Sequence, residues 1–145
     1  MPFEVKYGLA RVLGGKMRIL IVDDSKYMRY VIKTIVTAEG YEVVGEASNG
    51  QMGIEYYDAL RPDVVFMDVT MPILSGFESL KGIRALDSKS IVIMCSAMGQ
   101  QWLIRDSILE GAFDYITKPF KPEKVIYILK RLEKYVTSIE NQPAK

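Results

Sequence analysis

Two textures alternate along this chain. Short runs rich in branched apolar residues occur at 18–22 (RILIV), 42–47 (EVVGEA), 63–67 (DVVFM), 90–95 (SIVIMC) and 113–117 (FDYIT). Three of these are almost continuously apolar, the pattern of strands covered on both faces in a parallel sheet. Between them the apolar spacing becomes helical. Ser25 can cap a first helix in which Met28, Val31, Ile32, Ile35 and Val36 share one face, and Glu39-Gly40 ends it. A weaker pattern over 50–60 follows Asn49-Gly50, and Ser75-Gly76-Phe77-Glu78 has the form of a capping box opening a third helix. Residues 99–110 and 121–137 supply the fourth and fifth. Strand and helix in strict alternation predict an open, doubly wound α/β fold with a five-stranded parallel sheet and five helices. Residues 17–138 carry this pattern as one domain. Residues 1–16 stand apart as a leader or extension jointed at Gly14-Gly15, and 139–145 read as a flexible tail.

Composition removes whole classes of function. The formal net charge is +1, so no global field draws the chain to nucleic acid or to a membrane. No apolar run approaches the ~18 residues of a membrane span, and residues 1–16 lack the apolar centre of a secretory signal. The single cysteine, Cys95, rules out an internal disulfide and fits a reducing compartment, hence a cytoplasmic location. The chain has no histidine. That excludes an imidazole base or nucleophile, and with one cysteine it leaves no set of ligands for a zinc site. Any metal is a hard cation held by oxygen.

Ligands of doubly wound sheets sit beyond the carboxyl ends of the strands. Asp23 and Asp24 follow the first predicted strand, Asp68 the third, Ser96 the fourth and Lys118 the fifth. Three carboxylates brought together repel one another, by about 4 kcal/mol per pair at 4 Å and an effective dielectric of 20. A divalent cation such as Mg²⁺ reverses that sign and shares its shell with phosphate oxygens. Asp24 and Asp68 are the direct ligands in this reading, with Asp23 acting through water. Asp68 can attack a phosphoryl group, while Lys118 and Ser96 can each hold one of its oxygens. Taken alone, Asp23-Asp24 could merely cap a helix; Asp68 and Lys118 favour the metal site.

Asp23-Asp24-Ser25, Asp68 with Met71-Pro72, Ser96-Ala97, Tyr115 and Lys118-Pro119-Phe120 together resemble the receiver domain of two-component response regulators, and within it the stand-alone chemotaxis receivers. The likeness covers about residues 17–136. It implies a flavodoxin-like sheet of order 2-1-3-4-5 and a phosphoryl group accepted on Asp68 from a sensor histidine kinase. It implies Mg²⁺ held by Asp23, Asp24, Asp68 and the backbone carbonyl of Thr70, and a cis peptide between Lys118 and Pro119. Lys118 and Ser96 would contact the phosphoryl group. Ser96 and Tyr115 would act as the switch, remodelling the face formed by the fourth helix, fifth strand and fifth helix. Such a protein is a signalling switch with its own phosphorylation and dephosphorylation chemistry rather than an enzyme. Its partners would be the kinase and either the flagellar motor switch or a phosphatase, with no nucleic acid or membrane and a monomeric or weakly dimeric state.

Thr70 and Met98 flank the path of a hydrolytic water in that family, and Met98 cannot orient water strongly, so slow self-dephosphorylation is expected. Trp102, Leu103, Ile126 and Tyr127 form either a partner surface or a set of side chains folded back on neighbours. Val125, Leu129, Leu132 and Val136 are expected in the core, and Lys121, Lys124, Lys130, Arg131 and Lys134 on a solvated face. Three other functions fit parts of the pattern. One is a phosphorelay intermediate passing its phosphate to a histidine phosphotransfer protein. Another is a Mg²⁺-dependent aspartyl-phosphate phosphatase, which usually needs an acid where Thr70 stands. The third is a flavin carrier, whose phosphate Asp23-Asp24 would repel.

Overall fold

The computed structural model describes residues 16–140, so the expectations for residues 1–15 and 141–145 lie outside the described residues. The elements run β1 (Arg18–Val22), α1 (Lys26–Ala38), β2 (Glu42–Ala47), α2 (Gly50–Leu60), β3 (Val64–Asp68), α3 (Gly76–Leu86), β4 (Val92–Ser96), α4 (Trp102–Leu109), β5 (Asp114–Thr117) and α5 (Pro122–Glu140). Every strand pair is parallel and the order is β2-β1-β3-β4-β5. This is the doubly wound, flavodoxin-like sheet expected.

Strand alternation sorts the apolar residues into two cores. Ile19, Ile21, Val64, Phe66, Ile93 and Cys95 face one side, where they meet Ile32 and Val36 of α1 and Val125, Leu129, Leu132 and Val136 of α5. Leu20, Val22, Val65, Met67, Val92 and Met94 face the other, against Tyr57 of α2, Leu80 and Ile83 of α3 and Leu103 of α4. β3 and β4 are buried along their whole length, whereas the edge strand β2 is mostly half-exposed. The near-continuous apolar runs have this cause: both faces of the central strands are covered. At roughly 1.5–3 kcal/mol for each fully buried large side chain, the two cores hold the sheet rigid beneath its carboxyl edge.

Helix starts follow their caps. Ser25 Oγ accepts from Met28 N at 3.2 Å, Asn49 Oδ1 from Met52 N at 2.9 Å, and Ser75 Oγ from Glu78 N at 3.2 Å. The Ser75–Glu78 contact is the first half of the expected capping box. α4 starts at Trp102, three residues later than the spacing predicts. Gly99 turns the chain at φ +88° and Gln101 makes no side-chain cap, so residues 97–101 form a turn instead. β3 and β4 each end one residue later than expected. Asp68 and Ser96 are therefore the last residues of their strands rather than the first of the loops beyond. α5 continues to Glu140, two residues past the predicted domain end.

Candidate functional site

Asp23 is 1 % exposed although it carries a charge. The local chain holds it on several sides. Its backbone N–H donates to Ala47 O at 3.0 Å, and its Oδ1 accepts from Ser25 N at 2.8 Å in a turn that leads into α1. Arg29, one turn into α1, donates from Nη1 to Asp23 O at 2.6 Å and from Nε to Glu46 Oε1 at 3.1 Å. Asp24, next along, is exposed.

Asp68 arrives from the middle of the sheet at 5 % exposure. Carboxylate oxygens of Asp23, Asp24 and Asp68 all lie within 4.8 Å of one another. Lys118, just past β5, reaches across with Nζ 2.9 Å from Asp23 Oδ2 and 3.2 Å from Asp68 Oδ1. The Asp68 contact is aligned as a hydrogen bond; the Asp23 contact is an ion pair off the hydrogen-bond direction. The Lys118–Pro119 peptide is cis, and Lys118 N donates to Ser96 O at 2.7 Å.

One ammonium does not balance three carboxylates. Burial, followed by the charge of Asp23, raises the Asp68 carboxyl from 3.8 to about 6 against the pull of Lys118. Burial lowers Lys118, but the carboxylates of Asp23 and Asp68 outweigh it and raise the ammonium above its ordinary value. The pocket therefore has negative charge in excess and oxygen-only donors, which fits a hard divalent cation of the Mg²⁺ kind. Cys95, beside it in β4, is fully buried and its thiol is pushed up by burial, so it is inert packing.

Beside Asp68, the neighbouring strand β4 ends at Ser96, and the loops that follow the two strands carry Ala97 and Thr70. Ser96 is fully buried and its Oγ has no hydrogen-bond partner among the described residues. An unsatisfied buried hydroxyl costs about 1–3 kcal/mol, a cost relieved when an acceptor enters the pocket. Thr70 is exposed on the β3–α3 loop, and its hydroxyl accepts from Gln100 Nε2 at 2.7 Å.

The loop after Asp68 is tightly held. Gly76 N donates to Val69 O at 2.8 Å, and a Cβ on Gly76 would stand 1.8 Å from Asp68 O. Only glycine lets α3 start against the backbone of Asp68. Leu74 N donates to Pro72 O at 2.7 Å around Ile73, whose φ is +69°. A β-branched residue there stores roughly 1–3 kcal/mol of strain, and Gly50 N, bonded to Leu74 O at 3.1 Å, helps hold it.

Tyr115 is half-exposed on β5, far from burial in the core. With Met98, Lys118, Lys124, Tyr127 and Arg131 it lines a groove between β5 and α5. Trp102 and Tyr127 are exposed, whereas Leu103 packs against the core. Lys121, Lys124, Lys130, Arg131 and Lys134 are all on the solvated face expected of them.

Asp23, Asp24, Asp68 and Lys118 thus meet as the sequence predicts, and Ser96 ends the neighbouring strand. Arg29, Gly76 and Gln100 escaped sequence reasoning. Arg29 sits four residues after the Ser25 cap, like any helical arginine. Gly76 was legible only as part of a cap. The polar pair Gln100-Gln101, set where a helix was expected to run, was the one available signal for a loop contact.

The family described as response regulator receiver domain matches residues 19–130. The chemotaxis protein CheY of Thermotoga maritima is 47% identical over 117 residues, covering 81% of this chain and 98% of the relative. CheY of Bacillus subtilis is 50% identical over 109 residues, covering 75% and 91%. Among solved structures, the complex of CheX with CheY, BeF₃ and Mg²⁺ from Borrelia burgdorferi aligns with a TM-score of 0.78 at 32% identity, covering 81% of this chain and 89% of that one.

Proposed function

The chain belongs to the response regulator receiver family, and from that premise we propose that Asp68 carries a phosphoryl group taken from a phosphohistidine of a sensor kinase. The protein is a CheY-like chemotaxis response regulator, a signalling switch rather than an enzyme with a turned-over substrate. In the proposed transfer an Asp68 carboxylate oxygen forms a bond to phosphorus as the bond from phosphorus to the kinase imidazole breaks, and the imidazole leaves with the electron pair. Lys118, already 3.2 Å from Asp68 Oδ1, turns its charge to a phosphoryl oxygen. Ser96 Oγ donates its unused hydrogen bond to another.

Asp23, Asp24, Asp68 and the backbone carbonyl of Thr70 are the ligands proposed for Mg²⁺. When bound, the cation supplies charge neutralisation for both the carboxylates and the phosphoryl oxygens. The observation that carries the reading is the triad of carboxylates within 4.8 Å around a buried Asp68. An acid cluster of this kind is unstable alone and is resolved by a cation. A phosphomonoester phosphatase is disfavoured because the place of its general acid is taken by Thr70, a hydroxyl engaged by Gln100.

The Borrelia relative is bound by CheX. For this chain we extend that to a protein partner, the flagellar motor switch or a phosphatase, on the α4–β5–α5 face where Tyr115, Trp102 and Tyr127 are exposed. Ser96 moving toward the phosphoryl group and Tyr115 turning inward would bias that face between two states. Among the described residues no helix is long and apolar enough to cross a membrane; a cytoplasmic location accords with the kinase partner.

Incubation with a phosphorylated histidine kinase tests the reading. Label transfers to the protein and not to Asp68→Asn, whose fold is retained. Label on Asp68→Asn, or steady hydrolysis of a phosphate monoester by the parent, contradicts it.

A further inference from the structure

Gln100 makes a two-ended bridge. Its Oε1 accepts from Ala97 N at 2.9 Å and its Nε2 donates to Thr70 Oγ1 at 2.7 Å. Ala97 N–H can only donate, so the carboxamide oxygen must face it, and the amide end is left for the threonine hydroxyl. The bridge ties the loop after Asp68 to the loop after Ser96. Next to Ala97, the buried hydroxyl of Ser96 has no hydrogen-bond partner among the described residues. Ala97 N–H is thereby held by a neutral side-chain oxygen.

We propose that Gln100 is a latch and a positioning residue: its carboxamide holds the Ser96–Ala97 segment and Thr70 in the unphosphorylated arrangement and must let go for that segment to close on a phosphoryl group. This rests on the reading of Asp68 as phosphoryl acceptor. The carboxamide oxygen stands in for a phosphoryl oxygen on Ala97 N–H, and releasing it frees both the N–H and Ser96 to move toward the ligand. Two side-chain hydrogen bonds must break for the segment to close. Removing the latch shifts the equilibrium toward the ligand-competent state and tightens binding by the same factor.

Two measurements separate the latch from the site beneath it. In the metal-free protein, exchange of the Ala97 amide with deuterated water is read by NMR in the parent and in Gln100→Ala. The parent amide is protected about fivefold or more, and the variant loses that protection. A parent amide already exchanging at the unprotected rate overturns the latch whatever Asp68 does. Beryllofluoride is then titrated with Mg²⁺, read as the midpoint of the Trp102 fluorescence change and of the bound fluorine NMR signal. Gln100→Ala binds about three- to tenfold more tightly and Thr70→Val about two- to fivefold. The double variant gains no more than Gln100→Ala alone, since both break one bridge. Equal or weaker binding by Gln100→Ala overturns the latch. Failure of the parent to bind beryllofluoride overturns the phosphoryl site and the latch with it.

Discussion

On one side of the pocket, Asp23, Asp68 and Lys118 sit at strand ends or just past them, anchored by β-ladder bonds, the Arg29 clamp and two ion pairs. On the other, only the first residue, Ser96, lies in a strand; Ala97, Gly99 and Thr70 are exposed on loops joined by one glutamine. The acid side is prebuilt and charge-strained. The hydroxyl side joins its two loops by one side-chain bridge and carries a hydroxyl unpartnered among the described residues. A switch needs both kinds of construction: a rigid place for chemistry, and beside it an element with two nearby arrangements whose balance a new charge can tip.

The sharpest way to break this contrast is to remove the lysine. Lys118→Ala leaves Asp23 buried without its counter-ion, so the metal-free fold loses about 3 kcal/mol by urea unfolding, and Mg²⁺ restores much of it. Phosphorylation by acetyl phosphate persists in part, but Trp102 fluorescence and partner binding no longer respond. Full response in that variant would show that the two sides communicate without Lys118. Asp24→Ala, at the exposed corner of the triad, weakens Mg²⁺ about tenfold or more in a fluorescence titration. An unchanged titration removes Asp24 from the ligand set.

The pH dependence of stability measures the strain of the acid side directly. With EDTA present, folded Asp68 keeps its proton up to about pH 6, whereas unfolded it loses it near 3.8. Between those values the folded state binds more protons, so stability falls as pH rises from about 4 to 6, by roughly 3 kcal/mol. Asp68→Asn flattens this window in thermal melts, and so does Mg²⁺. A parent protein equally stable at both ends would mean the acid side is not strained. The smallest expected effect lies on the hydroxyl side, where Ser96→Ala removes an unsatisfied group. Its stability is unchanged or higher by about 1 kcal/mol, while its beryllofluoride binding weakens. A clear loss of stability would mean that the hydroxyl is already bonded.

The same contrast governs what could be read from sequence. The sheet was legible because β1, β3 and β4 bury both faces and so carry long branched apolar runs. The acid side was legible because carboxylates at strand ends, 45 residues apart between Asp23 and Asp68, have no packing reason to be there. The loop side was not. Gln100 acts through two hydrogen bonds that depend on where a turn replaces the first part of a predicted helix, and Gly99 at φ +88° sets that turn. Gly76 matters because α3 approaches Asp68 O, a distance that no periodicity encodes. Arg29 is indistinguishable in sequence from a solvated helical arginine until its partner Glu46 is placed on the neighbouring strand.

The central claim is that the crowded carboxylates, relieved by Mg²⁺, make Asp68 a temporary phosphoryl carrier. Borohydride reduces an aspartyl phosphate to homoserine, leaving a permanent mark at the acceptor. After incubation with acetyl phosphate and Mg²⁺, then borohydride, peptide mapping by mass spectrometry should find homoserine at position 68 alone, and none when EDTA replaces Mg²⁺. Homoserine at position 23 or 24, or equal conversion without the metal, would contradict the account.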